Sequence, residues 1–92
     1  MENQTQNTII KFDKRAEKQL RKLPLNITKK FHKQLSLLFN DPRHPSLHIK
    51  KKQGGNRWEA RINYHYRFTF VIEEKTIIVL SIGPHDEGLG KK

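Results

Sequence analysis

The sequence predicts an α+β fold, with two N-terminal helices in a hairpin packed on one face of a mainly antiparallel sheet of about five strands, in the order β-α-α-β-β-β-β. Three observations carry this reading. Two tandem segments between Phe12 and Phe39 repeat apolar residues at steps of three and four, the spacing of one helix face. Three successive segments between Arg57 and Asp86 alternate with period two, the signature of half-buried strands. Only short polar connections join the strands, which suits antiparallel neighbours. A helix pair beside a run of strands resolves into two layers, because the apolar stripe of the helices and the apolar face of the sheet must cover each other.

In chain order, Met1 to Thr8 has no apolar periodicity and is expected to fray. Ile9 to Phe12 reads as a short strand. Asp13 then stands at an N-cap position, where its carboxylate can accept from the free amides of the first turn. Phe12, Ala16, Leu20 and Leu23 form one helical face, and Lys14, Arg15, Lys18, Arg21 and Lys22 cover the rest. Pro24 punctuates. A second helix is predicted from about Leu25 to Phe39, with Ile27, Phe31, Leu35 and Leu38 on its apolar face. Asn40-Asp41-Pro42 ends it, and Asp41 to Ser46 is a two-proline loop. Leu47 to Lys52 alternates weakly and is basic, as suits an edge strand whose lysines oppose sheet-to-sheet association. Gln53 to Asn56 turns the chain into a three-stranded meander. In its first strand Trp58, Ala60 and Ile62 face the helices while Arg57, Glu59, Arg61 and Asn63 face away. In the second, Tyr66, Phe68, Phe70 and Ile72 face the helices and Arg67, Thr69, Val71 and Glu73 face away. Ile77 to Ile82 is apolar on both faces and is predicted to be central. Gly83-Pro84 then breaks the strand and delivers His85 and Asp86 to the end of the sheet.

With 92 residues the chain is expected to form a single domain, 1–92, that buries roughly 60 to 70% of its unfolded surface without staples. The absence of cysteine excludes a disulfide framework, a zinc-thiolate site and a cysteine nucleophile. No stretch approaches the ~20 apolar residues that span a bilayer, so a cytoplasmic protein with no membrane partner is expected. The 5 histidines show no ligand spacing such as i, i+4 on a helix, so neither metal nor cofactor is expected. Lys and Arg number 19 against 9 Asp and Glu, and a net charge of +10 on so small a body attracts polyanions, either nucleic acid or an acidic protein. Most helix lysines read as a solvated face, and Phe31, Phe39, Phe68 and Phe70 lie at core spacing rather than at base-stacking positions.

Four stretches in order, DPRHPSLHIKK, WEARIN, YRFTF and VLSIGPHDE, resemble the RelE/ParE toxin superfamily of type II toxin-antitoxin systems, over about residues 9 to 90. The resemblance implies a toxin held inactive by a cognate antitoxin. In the RelE/YafQ-like branch it implies an endoribonuclease, or mRNA interferase, that cuts mRNA in the decoding site of the 70S ribosome. Within that branch Arg67 matches the strand arginine implicated in holding the scissile phosphate, and His85 stands where RelE has an arginine and YafQ-like members a catalytic histidine. Arg61 and Glu59 stand where RelE has two functional lysines, so one position has exchanged a cation for a carboxylate. The tyrosine that RelE places near its C-terminus is also absent, Leu89 being nearest in position. The ParE branch shares the fold and is associated with gyrase poisoning, and a catalytically inactive basic domain that binds RNA or an antitoxin is a further alternative.

RNA carries its own nucleophile, the 2'-OH, so cleavage without a metal needs a base, cations for the phosphorane charge and an acid for the leaving 5'-oxygen. Arginine suits the phosphate through its permanent charge and planar fork. Histidine suits proton transfer near neutral pH. The expected catalytic residues are therefore Arg61 and Arg67 on the phosphate, His85 as general acid beside Asp86, and Glu59 as candidate base, with His48 and His65 as fallbacks. Lys50, Lys52, Arg57 and Asp86 are expected to bind substrate. The plainer reading makes Arg61 and Arg67 solvent-facing strand residues or antitoxin contacts, Glu59 a cross-strand partner of Arg67, and His85 a turn residue.

Overall fold

A computed structural model describes residues 9–84. The expected fraying of Met1 to Thr8 and the placement of His85 and Asp86 lie outside those residues. Strand β1 (Ile9–Phe12) leads into helices α1 (Lys14–Arg21) and α2 (Leu25–Asn40). A 3₁₀ turn at Pro45–Leu47 follows, then β2 (Lys50–Lys51), β3 (Trp58–Arg61), β4 (Tyr66–Glu73) and β5 (Thr76–Pro84). The sheet order is β1-β5-β4-β3-β2.

The expected two-layer α+β class holds, but the sheet is mixed. β2, β3, β4 and β5 are successively antiparallel, whereas β1 runs parallel to β5, with Ile9 opposite Thr76 and Phe12 opposite Val79. The meander leaves one edge of β5 free, and β1 reaches it through the helices, a crossover long enough for parallel pairing. No hairpin turn fixes the direction of β1, so four residues of sequence carry no sign of it. β5 is interior as expected, but the middle strand of the five is β4.

The core lies between α2 and the sheet. Ile27, Phe31, Leu35 and Leu38 are all buried, and the Phe31 ring meets Phe68 edge-on at 5.1 Å and Phe12 at 6.1 Å. Each large side chain buried there stabilises the fold by about 1.5 to 3 kcal/mol. α1 runs along β5, burying Ala16, while Gln19 Oε1 accepts the Ile82 N–H at 2.7 Å and so satisfies the β5 edge beyond the end of β1. Asp13 occupies the N-cap of α1 but makes no side-chain cap bond. Its backbone joins strand to helix instead, its N–H donating to the Val79 carbonyl and its carbonyl accepting from Glu17 N–H, both at 2.9 Å.

Three further expectations change. The strand expected over Leu47 to Lys52 shrinks to Lys50–Lys51, because the 3₁₀ turn carries Leu47 into the core and His48 takes a left-handed conformation, φ 44°. Ile72 keeps the packed face expected for it, opposite buried Ile77, but near the β4–β5 turn it is itself 50% exposed rather than covered. Finally, β5 carries a bulge: Thr69 pairs with Ser81 but Phe70 with Val79, leaving Leu80 as the extra residue. The bulge resets the alternation. Ile77, Val79 and Ile82 therefore all enter the core, and Ser81 and Gly83 are brought to the open face opposite Thr69 and Arg67.

Candidate active site

The face of the sheet turned away from α2 is ordered in cross-strand rows. One row runs Lys50, Glu59, Thr69, Ser81, and the next runs Arg61, Arg67, Gly83. Arg61 and Arg67 are direct partners in the β3–β4 ladder, which sets their Cα atoms about 5 Å apart. Glu59 faces Thr69, not Arg67 as the cross-strand reading expected, and lies two residues along β3 from Arg61. The parity that the meander predicted thus places Glu59, Arg61 and Arg67 together, and the antiparallel register brings Lys50 beside them.

Arg67 is anchored by the hairpin that precedes it. Asn63 Oδ1 accepts the N–H groups of His65 and Tyr66, both at 2.9 Å, which folds the β3–β4 connection into a tight turn. The turn's carbonyls converge on Arg67. Its Nη1 donates to the carbonyls of Asn63 at 2.7 Å, Tyr66 at 3.1 Å and Tyr64 at 3.2 Å. A guanidinium has five N–H donors, so the fork keeps Nε–H and the Nη2 pair for an anion. Burial, then the charge of Arg61, hold the Arg67 guanidinium below its ordinary pKa, with Glu59 pulling the other way. Arg61 Nε is buried without a hydrogen-bond partner among the described residues.

Glu59 is buried, 8% exposed, and its carboxylate meets Lys52 Nζ at 3.5 Å and Lys50 Nζ at 4.0 Å. Both lysines remain exposed, Lys50 more than Lys52, so these pairs add little to stability and chiefly gather positive charge at the sheet edge. Arg57 is exposed just before β3, its carbonyl accepting from Lys52 N–H at 2.9 Å. Two shallow clefts meet at Arg67. One, of about 370 Å³, is lined by Arg15, Glu59, Thr69, Ser81 and Gly83, and the other, of about 430 Å³, by His48, Lys50 and Arg61. His48 is therefore at the site, though not on the edge strand expected for it, while His65 lies exposed in the hairpin turn as expected. β5 ends at Pro84, opposite Tyr66 and one pair beyond Arg67 and Gly83. Among the described residues no group of three histidines or carboxylates is placed to hold a metal ion, and no helix is long and apolar enough to cross a membrane.

Sequence reasoning missed several of the residues that build the site. Thr69 and Ser81 stand between the arginines and the apolar end of the face, their hydroxyls 2.6 Å apart, and only the bulge puts Ser81 there. Gln34 is 2% exposed and donates to the Arg61 carbonyl at 2.9 Å and the Ser46 carbonyl at 3.3 Å. It stands three residues from Phe31 and four from Leu38, a polar residue on an apolar helix face, and that spacing was a visible signal.

Residues 10–89 match the family described as the ParE toxin of type II toxin-antitoxin systems, parDE. Among solved structures, a chain of the archaeal RelE-RelB complex from Pyrococcus horikoshii is 23% identical, with a TM-score of 0.72 over 88% of this chain and 98% of that one. A chain of the Escherichia coli RelBE toxin-antitoxin complex is 25% identical, with a TM-score of 0.69 over 87% and 99%. Escherichia coli YafQ is 15% identical, with a TM-score of 0.68 over 86% and 94%, a likeness of fold. A search of curated proteins found no match.

Proposed function

The chain belongs to the ParE toxin family of type II toxin-antitoxin systems, and from its likeness to a chain of the RelBE complex we propose that it is a toxin of the mRNA-interferase kind, an endoribonuclease that stops translation by cutting message at the ribosome. The observation that carries the reading is the cross-strand pair Arg61 and Arg67 on an open sheet face beside the carboxylate of Glu59. Two guanidinium groups held side by side suit one group above all, a phosphate whose negative charge grows in the transition state.

In the proposed reaction Glu59 takes the proton of the 2'-OH, and the 2'-oxygen attacks the adjacent phosphorus. Arg61 and Arg67 hold the non-bridging oxygens as charge develops on them. The bond from phosphorus to the 5'-oxygen breaks, and His85 gives that oxygen its proton, leaving a 2',3'-cyclic phosphate and a 5'-hydroxyl. His85 is bonded directly to Pro84, the last described residue of the strand paired with Arg67's own, which supports this role; Asp86 is assigned to orient its ring. Lys50, Lys52 and Arg57 hold the RNA backbone along the sheet edge. The reaction needs no metal or cofactor.

The partner proposed for the resting toxin is an antitoxin protein, in keeping with the RelE-RelB and RelBE complexes among the similar structures. An acidic segment that folds on binding suits a body of charge +10. Expressing the chain without its antitoxin and mapping message ends by primer extension tests the reading. Discrete cuts in translated mRNA are expected. DNA damage with intact message would mark the gyrase-inhibiting alternative, and growth with neither would mark an inactive binding domain.

A further inference from the structure

A groove of about 480 Å³ runs between α2 and the β3–β4 hairpin and shares His48 and Arg61 with one of the clefts above. Lys30 and Lys33, both on the exposed side of α2, line it and bring two positive charges to it. Tyr64, 77% exposed at the hairpin, lines it from the opposite element. His65 meets the Tyr64 ring at 5.0 Å and 81°, a perpendicular contact that leaves at least one ring face free. The groove's walls are fixed in place, because buried Gln34 ties the Arg61 and Ser46 carbonyls to α2. His44 Nδ1 accepts the Ser46 N–H at 3.1 Å, so the neutral ring carries its proton on Nε2, a donor for a ligand. Arg61 lines both this groove and the cleft it shares with Arg67.

Cations along one wall and a free aromatic face on the other make the combination that holds a single-stranded nucleotide, charge to backbone and ring to base. An acidic peptide would use the lysines and leave the ring idle. We infer that this groove is a second nucleotide subsite, which takes the RNA nucleotide next beyond the two that flank the scissile phosphodiester, with its base stacked on Tyr64 and its phosphate held by Lys30 and Lys33. The inference rests on the nuclease reading, since Arg61 and His48 join the two sites.

The test measures binding of uncleavable 2'-O-methyl RNA to the full chain by fluorescence anisotropy, with a dinucleotide and with trinucleotides extended at either end. One extension should tighten binding to the wild type about tenfold, the order expected for one stacked base. Tyr64→Phe should keep that gain, Tyr64→Ala should abolish it, and Lys30→Gln with Lys33→Gln should reduce it. Dinucleotide affinity should stay within about twofold throughout, and Tyr64 is exposed enough for its removal to spare the fold. No gain from either extension, or an equal gain in Tyr64→Ala, overturns the inference. Polyglutamate binding that survives Tyr64→Ala, without any extension gain, overturns it in favour of an acidic peptide. A Tyr64-dependent gain in a chain that cuts no unmodified RNA supports the groove and refutes the reaction instead.

Discussion

Arg61 and Arg67 face each other directly across the β3–β4 ladder. Like charges so placed repel: burial first, and then the charge of Arg61, hold Arg67 below its ordinary pKa, and Arg61 separately keeps a buried Nε with no partner among the described residues. In the proposed reaction a phosphorane between them would turn that repulsion into complementarity.

The first prediction follows from that repulsion. Arg61→Met removes the like charge and the unpartnered N–H while keeping an aliphatic stem, so the fold should gain about 1 kcal/mol. In a domain of this size the melting temperature should rise by about 4 to 8 °C. RNA cleavage should fall at least tenfold. Thermal melting by circular dichroism, beside a cleavage assay, decides it, and a lower melting temperature would show that the pair is not strained.

The second concerns the fork of Arg67. Its Nη1 holds three hairpin carbonyls while the remaining donors stay free. Lysine keeps the charge but cannot serve hairpin and phosphate together. Arg67→Lys should therefore lose at least tenfold in cleavage rate, close to Arg67→Ala, with the loss in kcat rather than KM. Full activity of the lysine variant would reduce Arg67 to a point charge.

Much of this site could be read from the chain before any coordinates. Alternation in WEARIN and YRFTF puts Arg61 and Arg67 on one face, and β3 and β4, joined by a short connection, had to be antiparallel neighbours. Their exact opposition needed the turn, which Asn63 sets. The bulge at Leu80 was hidden because Ile77 to Ile82 is apolar on both faces, so a one-residue slip changes no visible pattern. β1 was legible as a strand but not as a parallel one, since direction comes from tertiary pairing. The αL conformation of His48 was likewise unreadable, because it answers to Leu47 being drawn into the core.

The third prediction separates two roles for Glu59. Glu59→Gln keeps the shape and removes the proton acceptor. If Glu59 takes the 2'-OH proton, cleavage should fall by about 10² to 10⁴-fold. A loss under about tenfold would leave Glu59 as the anchor of Lys50 and Lys52 and move the base to His48, which lines the cleft with both arginines.

The fourth addresses the proton donor. His85→Ala should lower cleavage by about 10² to 10⁴-fold without weakening RNA binding. A substrate with a better leaving group, such as a 5'-thio linkage, should recover most of that loss because it needs no proton. Failure of the thio substrate to rescue the variant would point to a different acid.

The fifth uses salt. Lys50→Gln and Lys52→Gln should each flatten the dependence of log affinity on log salt by about 0.7, the counterion release of one single-strand phosphate contact. Unchanged slopes would place the RNA away from this sheet edge.

The most direct test of the arginine pair is to map the ends of mRNA incubated with translating ribosomes and purified protein, wild type beside Arg67→Ala. The account predicts discrete cuts ending in 2',3'-cyclic phosphate, formed at least tenfold more slowly by the variant. Intact message with the wild-type protein, or equal cutting by a correctly folded Arg67→Ala, would contradict it.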